Sequence, residues 1–383
     1  MNIATILFTY NRPLHTQQVL EGLSRNSVLP EKLFIFQDGL KKEHDEKSWK
    51  EVSELIHSVQ ICPIEIIESQ DNKGLAKSIV DGINYVLKDN DAVIVLEDDC
   101  VPAPDFINFM LQVFHKYRNE KRVYCASGYA WHINVESDQY DAYFHGRMCS
   151  WGWGTWKDRW LQYNQDNNIL QRIMIEKEKS IELAAWARDY PNMLFDRIKG
   201  NNNSWAVYWG LKIIENSGLC ICPYKTLIKN VGFDGSGVHC GLIDTYRDDL
   251  DETIRDLYRL PDEKVIEDSI YDNFKGDLGS YLVHYNRKNI SENVIIYGMG
   301  NFFQQYENNI ALQYNVVALS DRERNGFYAG IEIIDISRIA DFVGCKVIIM
   351  IRDMNVALEI SNELEKKYGI DSSQIVLGTE LFK

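Results

Sequence analysis

Three adjacent carboxylates follow a hydrophobic run within the first hundred residues. The run is Ala92 to Leu96, and Glu97, Asp98 and Asp99 come directly after it. Carboxylates at the end of an apolar strand repel one another unless a positive charge lies beside them. Mg²⁺ and Mn²⁺ prefer oxygen ligands and often share them with substrate phosphates. The cluster is therefore predicted to bind a metal that braces a departing diphosphate; the alternative is a solvated acidic turn.

Short apolar runs alternate with amphipathic stretches around this cluster. Residues 4–9, 32–37, 64–69 and 92–96 are predicted strands, and residues 16–25, 49–58 and 75–87 are predicted helices. Strands separated by helices of this length indicate βαβ crossovers and a mainly parallel sheet. Ligands of such sheets bind beyond the carboxyl ends of the strands. A nucleotide pocket is predicted there, because polar residues fall at or just past those ends: Thr9, Asp38, Gln70 and Glu97 to Asp99.

Four motifs in a fixed order carry a family resemblance. They are Phe8-Thr9-Tyr10-Asn11-Arg12-Pro13, Phe36-Gln37-Asp38-Gly39, Leu96-Glu97-Asp98-Asp99 and Ala103-Pro104-Asp105-Phe106. Through them, residues 3–241 resemble GT-A glycosyltransferases, in particular family-2-like bacterial sugar transferases, and distantly N-acetylglucosaminyltransferase I. The resemblance implies an α/β GT-A fold with a DXD-type acidic motif. It also implies a nucleotide-diphosphate-sugar donor, with a UDP-sugar favoured, and Mn²⁺ or Mg²⁺.

The same resemblance implies roles for single residues. Arg12 and Asp38 would hold the nucleotide, with Asp38 near the base or ribose. Asp99 would ligate the metal, while Glu97 and Asp98 would contact the ribose or the donor sugar. The alternatives are a surface salt bridge for Arg12 and a turn residue for Asp38, since Asp-Gly is a common turn pair. The candidate nucleotide-site residues of these motifs are Thr9, Tyr10, Arg12, Asp38, Glu97 and Asp98.

A loop that leads into a predicted helix, Asn72 to Ser78, is a further candidate for anion binding. Its backbone amides would face an anion, and Lys77 would reach a phosphate. A helix start with a solvated lysine explains the pattern nearly as well.

Tryptophan and glycine alternate in Ser150-Trp151-Gly152-Trp153-Gly154-Thr155-Trp156. Glycine lets a backbone approach a ligand, and an indole face can stack on a sugar ring. The similar glycosyltransferases carry such a segment on the acceptor side of the donor sugar, so Trp153 is predicted to contact the donor. The alternative is aromatic packing in the core.

The general base and a further metal contact are predicted from the later part of the chain. The resemblance implies that His239 supplies another metal or diphosphate contact. An inverting transfer needs a base that takes the acceptor proton. Relatives place an aspartate in the segment that here is Trp205-Ala206-Val207-Tyr208-Trp209, which has no carboxylate. Asp196 is the predicted substitute, and Asp234 is the second choice.

A second, smaller α/β domain is predicted after residue 290. Strand-like runs occur at residues 293–298, 314–319 and 346–351, with a helix at 354–368. Gly298 ends the first strand-like run and Gly300 follows it, and Asp321 follows the second, where a ribose-binding carboxylate would lie. Phe303 holds the third glycine position, so a scaffolding role stays open beside a nucleotide site. The predicted domains are a catalytic domain at 1–245, a helical connector at 246–289 and a Rossmann-like domain at 290–383.

Composition argues against several other classes of protein. The formal net charge is -15, and no long basic stripe suits a nucleic-acid backbone. A cytoplasmic location is expected, because the sequence has no signal-like segment and no apolar run of about 18 residues. Peripheral association with the inner membrane face and homo-oligomer formation stay open. The eight scattered cysteines predict free thiols rather than a zinc site or a disulfide framework.

The predicted activity is metal-dependent, inverting transfer of a hexosyl or N-acetylhexosaminyl group from a nucleotide sugar. The acceptor would be a hydroxyl of a glycan, a lipid-linked or a protein-linked molecule, in bacterial surface polysaccharide or glycoprotein synthesis. One alternative is a nucleotidyltransferase, which needs a basic Gly-rich phosphate loop that Phe8 to Pro13 lacks. Another is a non-catalytic nucleotide- or glycan-binding module, which would bind UDP without transfer.

Overall fold

The computed structural model describes residues 1–131, 137–187, 189–233, 250–262, 266–270, 292–328 and 331–382. The chain divides into two compact units. The N-terminal unit comprises Met1–Gln165 and Asn203–Asn273, and the C-terminal unit comprises Asp166–Asn202 and Phe274–Lys383. The C-terminal unit thus includes a segment that the sequence analysis assigned to the first domain. The reason is packing, since helix Tyr190–Ile198 lies against strand Gly326–Tyr328.

The N-terminal unit alternates strands and helices over its first 117 residues, as predicted. Its strands, in chain order, are β1 (Ile3–Thr9), β2 (Leu33–Gln37), β3 (Ile64–Glu68), β4 (Ala92–Glu97), β5 (Cys100–Pro102), β6 (Val123–Ser127), β7 (Ala142–His145), β8 (Trp153–Trp156), β9 (Leu219–Pro223) and β10 (Ile228–Asn230). Its helices are α1 (Pro13–Ser24), α2 (Glu46–Ser58), α3 (Leu75–Val86), α4 (Phe106–Tyr117), α5 (Lys157–Trp160) and α9 (Ala206–Glu215).

Eight of these strands form one sheet among the described residues, in the order β3-β2-β1-β4-β8-β6-β9-β7. The first four are mutually parallel. β8 is antiparallel to both β4 and β6, and β7 is antiparallel to β9. The predicted mainly parallel sheet is confirmed. β5 and β10 pair separately as an antiparallel ribbon.

Hydrophobic cores cover both faces of the sheet. Along β4, Ala92, Ile94 and Leu96 belong to one core and Val93 and Val95 to the other. Side chains of α1, α2 and α4 fill the first core, and side chains of α3 and α9 fill the second. Burial on both faces explains why β4 is a continuous apolar run rather than an alternating one.

The predicted helical connector is not helical at residues 250–262. These residues lie along α4 and bond to its polar side chains. Asn108 Nδ2 donates to Arg255 O at 2.6 Å, and Tyr258 N donates to Gln112 Oε1 at 2.9 Å. Side chains thus satisfy backbone groups that would otherwise bond within a helix.

Asp105 fastens this segment in place. It is fully buried just before α4, and its carboxylate accepts bonds from Arg255 N at 3.0 Å and Tyr258 Oη at 2.8 Å. The Ser27 hydroxyl donates to it as well. The sequence after residue 250 therefore completes the support of α4.

The C-terminal unit contains a second α/β sheet in the order β13-β14-β12-β11-β15-β16 among its described residues. β11, β12, β14, β15 and β16 are parallel, and β13 pairs antiparallel with β14. The strands are β11 (Asn293–Tyr297), β12 (Asn315–Ser320), β13 (Gly326–Tyr328), β14 (Ile331–Ile334), β15 (Lys346–Ile349) and β16 (Ile375–Leu377). The helices are α6 (Ile169–Ile175), α7 (Lys177–Trp186), α8 (Tyr190–Ile198), α10 (Asn301–Gln313), α11 (Met354–Tyr368) and α12 (Gly378–Leu381).

The predicted strands and helix of this unit are confirmed to within about two residues at most of their ends. None of the helices in the described part of the chain is long and apolar enough to cross a membrane.

Candidate active site

The acidic cluster lies where the strand order of the large sheet reverses. From β1 the chain proceeds to β2 and β3 on one side, and β4 then pairs on the other side of β1. Phe8 of β1 lies beside Glu97 of β4, so both strands end at the same edge. In open α/β sheets, ligands bind at this reversal, beyond the carboxyl ends of the strands. Arg12 follows β1 there, and Asp98 and Asp99 follow β4.

Arg12 is the cation that the acidic cluster holds in this structure. Its Nη2 atom donates to Asp98 Oδ1 and, at 2.9 Å, to Asp99 Oδ2. Both aspartates are buried, and the Arg12 side chain is 18% exposed. Burial opposes the charge of Arg12, but the two carboxylates outweigh that effect and raise its pKa. The sequence had left a surface salt bridge as the alternative for Arg12, whereas the pair is largely desolvated.

The negative charge of the cluster exceeds the charge of Arg12. Burial, together with the carboxylates of Asp99 and Asp98, raises the pKa of Glu97 to about 8. Burial likewise raises the pKa of Asp98, although Arg12 opposes that shift. Three carboxylates lie beside one guanidinium, so their ionisation leaves a net negative charge, which a further cation would neutralise.

The donor set of the cluster fits a hard divalent cation. Asp98 Oδ1 and Asp99 Oδ2 converge on a single cationic atom, Arg12 Nη2. Carboxylate oxygens suit Mg²⁺ and Mn²⁺, which commonly take one or two protein carboxylates and complete their shell with water and phosphate. Within the described residues, no group of three or more His, Cys, Asp or Glu is placed so that it could hold a metal ion. A cation at Asp98 and Asp99 would therefore need further oxygen ligands from water or phosphate.

The chain at the end of β10, the strand that pairs with β5, holds the backbone of Asp99. Cys100 of β5 lies opposite Asn230 of β10, and the Asp99 carbonyl accepts from Val231 N at 2.8 Å. A Cβ atom on Gly232 would come within 2.6 Å of Asp99 Oδ2. Glycine at this position therefore leaves the carboxylate oxygen free to bind a cation.

Gly232→Ala is expected to weaken Mn²⁺ binding by about 10- to 100-fold, because outer contacts that orient ligands contribute that much to metal affinity. The added methyl group would displace Asp99 Oδ2 from the position at which it and Asp98 Oδ1 contact the same cation. Calorimetric titration of Mn²⁺ in the presence of UDP measures the effect. An unchanged dissociation constant would show that this oxygen takes no part in metal binding.

Glu97 is expected to make stability depend on pH in metal-free buffer. Its pKa is about 8 in the folded chain and lies near the ordinary value of 4.5 when unfolded. Between these values the folded state binds the additional proton, so stability is highest at low pH and falls as the pH rises towards 8. The Asp98 shift has the same sign.

Urea unfolding between pH 5 and 8, with EDTA present, tests this dependence. Glu97→Gln should flatten the decline. Glu46→Gln is the matched control, since Glu46 is exposed and its pKa is lowered by Lys50. An equal decline in wild type and Glu97→Gln would refute the prediction.

Asp38 shapes the neighbouring loop and is more than a simple turn residue. Its carboxylate accepts bonds from Gly39 N at 3.0 Å, Lys73 N at 2.9 Å and Gly74 N at 2.8 Å. These bonds join the end of β2 to the loop before α3. Asp38 is thus buried and engaged with three backbone amides at the same sheet edge as the acidic cluster.

Thr9 and Tyr10 also form local bonds at this edge. Thr9 Oγ1 donates to Phe36 O at 3.2 Å. Tyr10 Oη donates to Asp45 Oδ2 and accepts from Lys41 N, each at 3.0 Å. Thr9 therefore bonds to β2 and Tyr10 to the chain that follows β2, and any nucleotide contact from them stays a prediction.

Trp153 lies in the core, which corrects the predicted sugar contact. It is fully buried in β8 and stacks on Trp205 with ring centroids 5.1 Å apart. A Cβ on Gly154 would come within 2.4 Å of Val93 O, so the glycine permits close strand pairing rather than ligand approach. The alternation of tryptophan and glycine therefore serves packing at this residue.

Other predicted site residues lie elsewhere or outside the described residues. Lys77 is on the exposed side of α3 and pairs with Asp81 at 2.9 Å. Asp196 is an exposed residue of α8 in the C-terminal unit, where it accepts from Asn201 Nδ2 at 3.3 Å. Asp234 and His239 fall outside the described residues. The general base and the additional metal contact thus stay predictions.

His15 belongs to this site and was missed by the sequence analysis. One helical turn after Arg12, its Nε2 atom lies 3.2 Å from Val231 O. It also interacts electrostatically with Asp98. The signal was present in the sequence, because Arg12 directly precedes α1 and His15 lies three residues later in its first turn.

The family comparison agrees with this geometry. Residues 5–169 match the family described as Glycosyl transferase family 2. That span is less than half of the chain and contains most of β1, all of β2 to β8, Arg12 and the acidic cluster. Over these residues the chain is similar to family 2 glycosyltransferases. Its mixed, mainly parallel sheet has the predicted GT-A fold, and the distant likeness to N-acetylglucosaminyltransferase I stays a prediction.

Several solved structures resemble part of this chain. TarS residues 1–349 from S. aureus is 9% identical with a TM-score of 0.35, and the match covers 61% of this chain and 62% of that one. A mannosyltransferase from Pyrobaculum calidifontis, solved with GDP-Man and Mn²⁺, is 10% identical with a TM-score of 0.31, covering 56% and 73%. Glucosyl-3-phosphoglycerate synthase from Mycobacterium tuberculosis, solved with Mn²⁺ and UDP, is 12% identical with a TM-score of 0.23, covering 33% and 43%.

The matched part spans less than two thirds of the TarS chains, between 30% and 62% of their length. No curated protein sequence matches the chain significantly.

Proposed function

We propose that the chain transfers a sugar from a nucleotide-diphospho-sugar, with a UDP-sugar favoured, to an acceptor hydroxyl. The convergence of Asp98 and Asp99 on one cationic position, at the reversal of strand order, carries the proposal. A Mn²⁺ or Mg²⁺ ion bound by Asp99 would neutralise the charge that develops on the departing diphosphate.

The chain's own residues have distinct tasks in this reaction. Asp99 would hold the cation, and it is aligned by Val231 N and by the small volume of Gly232. With a cation beside the two carboxylates, the guanidinium of Arg12 would be available to donate to a diphosphate oxygen, a geometry for which arginine is well suited. Asp38 keeps the loop at residues 72–74 in place beside the nucleotide.

The stereochemistry, the general base, the transferred sugar and the acceptor are proposed from the family resemblance. The transfer inverts the anomeric centre, with Asp196, or else Asp234, as the base. A hexose or an N-acetylhexosamine would be transferred to a glycan, a lipid-linked or a protein-linked acceptor in bacterial surface polysaccharide or glycoprotein synthesis. A lipid-linked acceptor would bring the enzyme to the inner membrane face, and a homo-oligomer is compatible with this scheme.

Calorimetric titration with UDP, GDP and dTDP, each with and without Mn²⁺, tests the proposal. Metal-dependent binding of one diphosphate is expected, and the matching nucleotide sugars are then screened for release of the diphosphate and formation of a glycoside. Binding of none of the three would contradict the proposal. Release of pyrophosphate from a nucleoside triphosphate would instead identify a nucleotidyltransferase, and UDP binding without transfer would identify a binding module.

A further inference from the structure

Cys100 directly follows the acidic cluster, begins β5 and is fully buried. Its Sγ atom donates a hydrogen bond to Asp99 Oδ1 at 3.4 Å. Consecutive side chains of an extended strand point to opposite faces. Here Asp98 and Asp99 form a turn between β4 and β5, and the turn brings Asp99 and Cys100 together. Cys100 is therefore a contact of the acidic cluster as well as a residue of the core.

The two carboxylate oxygens of Asp99 have different surroundings. Oδ1 accepts from the thiol of Cys100, which no solvent reaches. Oδ2 accepts from Arg12 Nη2 at 2.9 Å, on the side where the guanidinium remains 18% exposed. One oxygen thus faces the interior and the other faces the cationic position. A cation that takes both oxygens has to compete with the thiol for Oδ1.

The chain after β10 limits how far the Asp99 side chain can turn. Val231 N donates to Asp99 O at 2.8 Å, and Val231 O lies 3.2 Å from His15 Nε2. Asn230 Oδ1 accepts from Gly232 N at 2.8 Å. A Cβ atom on Gly232 would lie 3.2 Å from the Asp99 carboxyl carbon, so this chain packs directly against the carboxylate. Asp99 is therefore held with Oδ1 towards the core.

Divalent cations differ in how they use a carboxylate. Ca²⁺ takes six to eight oxygen ligands in flexible geometry and often binds both oxygens of one carboxylate. Mg²⁺ requires a near-octahedral shell, usually with one or two protein carboxylates and several waters, and Mn²⁺ also occupies octahedral oxygen sites. A carboxylate that offers a single oxygen suits Mg²⁺ and Mn²⁺ better than Ca²⁺.

We propose that Cys100 is a positioning residue that presents Asp99 to the cation through Oδ2 alone and thereby favours Mg²⁺ and Mn²⁺ over Ca²⁺. The inference rests on the proposed function, in which Asp99 holds the cation. Ca²⁺ would gain both oxygens of Asp99 only by displacing the thiol from Oδ1. That exchange leaves a buried donor without its acceptor, which is unfavourable.

Cys100→Ala and Cys100→Ser test this role, because alanine removes the donor and serine keeps one at the same place. Calorimetry of the full chain with UDP measures the dissociation constants of Mg²⁺, Mn²⁺ and Ca²⁺. In Cys100→Ala, binding of Mg²⁺ and Mn²⁺ should weaken by about tenfold, since the carboxylate loses an orienting contact. Binding of Ca²⁺ should not weaken, because Oδ1 becomes available. Cys100→Ser should retain the wild-type preference.

Cys149→Ala is the matched control. Cys149 is a buried thiol of the same core that interacts with the Ser127 side chain instead of the acidic cluster. Its replacement removes a sulfur atom from the core equally and should leave the preference among the three cations unchanged.

The infrared S–H stretching band supplies a readout that requires no metal. The difference between the spectra of wild type and Cys100→Ser in EDTA contains the band of Cys100. Asp99→Asn replaces the charged acceptor with a neutral one, so the hydrogen bond should weaken and the band should shift to higher frequency. This measurement remains informative if Cys100→Ala lowers the melting temperature.

The outcomes separate this role from the proposed function. If the cations bind and their relative affinities are the same in wild type and Cys100→Ala, the role of Cys100 is overturned and the proposed function stands. A Cys100 band that does not move in Asp99→Asn overturns the role as well. If none of the three cations binds wild type with UDP, the proposed function is overturned together with the inference.

Discussion

Asp99→Asn is expected to lower the rate of sugar transfer by about 1000-fold at saturating donor. A loss of about 4 kcal/mol of transition-state charge stabilisation corresponds to this factor, and a bound cation contributes several kcal/mol. Asparagine keeps the shape of the side chain, and Arg12 keeps Asp98 as its partner. The fold should therefore persist. Product formation with Mn²⁺ and an accepted UDP-sugar measures the rate, and calorimetry measures Mn²⁺ affinity.

Asp89→Asn provides the matched control for this variant. Asp89 is an exposed aspartate that follows α3 in the same unit. Its replacement changes the net charge equally and should leave transfer at the wild-type rate. Full turnover by Asp99→Asn with metal still bound would refute the role given to Asp99.

Arg12→Ala is expected to reduce the free energy of unfolding by about 3 kcal/mol in EDTA, because it leaves two buried carboxylates without their cation. The structure pairs Arg12 with both Asp98 and Asp99, so this one substitution removes the guanidinium from both carboxylates. Mn²⁺ should restore much of the loss. Urea unfolding with EDTA and with Mn²⁺ gives the four free energies needed.

The direction of the metal effect is the decisive part of this experiment. In wild type, Mn²⁺ must displace Arg12, so it should stabilise wild type less than Arg12→Ala. Arg25→Ala, which removes an exposed arginine just after α1, should behave as wild type in both buffers. Equal stabilisation of wild type and Arg12→Ala by Mn²⁺ would show that the guanidinium and the metal do not share one site.

The strands and helices that place the acidic cluster could be predicted from the sequence. Apolar runs of five to seven residues with helices between them indicate a parallel sheet, and β1 to β4 lie within two residues of the predicted spans. Because parallel strands end at the same edge of the sheet, the polar residues that follow them were expected to lie together there. Asp38 and Asp99 were found for this reason, whereas Arg12 was implied by the family resemblance.

Features that depend on distant packing could not be predicted in the same way. The Trp153 segment contains no periodicity that distinguishes a central antiparallel strand from a ligand-binding loop. Likewise, residues 250–262 are charged enough to suggest a surface helix, but Asp105 and Asn108 supply bonds that no local pattern reveals. The closeness of Gly232 to Asp99 depends on the pairing of β5 with β10, strands separated by more than a hundred residues.

The dependence of α4 on residues 255–258 has a consequence for the order of events during translation. Asp105 emerges from the ribosome long before Arg255 and Tyr258, which later bond to it. Until those two residues are synthesised, the Asp105 carboxylate lacks two of its hydrogen-bond donors, and β5 lacks its partner strand β10. In a nascent chain that ends near residue 169, the limit of the family match, the side chains of the acidic cluster should thus not yet be held in their final positions. The proposed nucleotide binding should begin only once the segment near residue 258 has been synthesised.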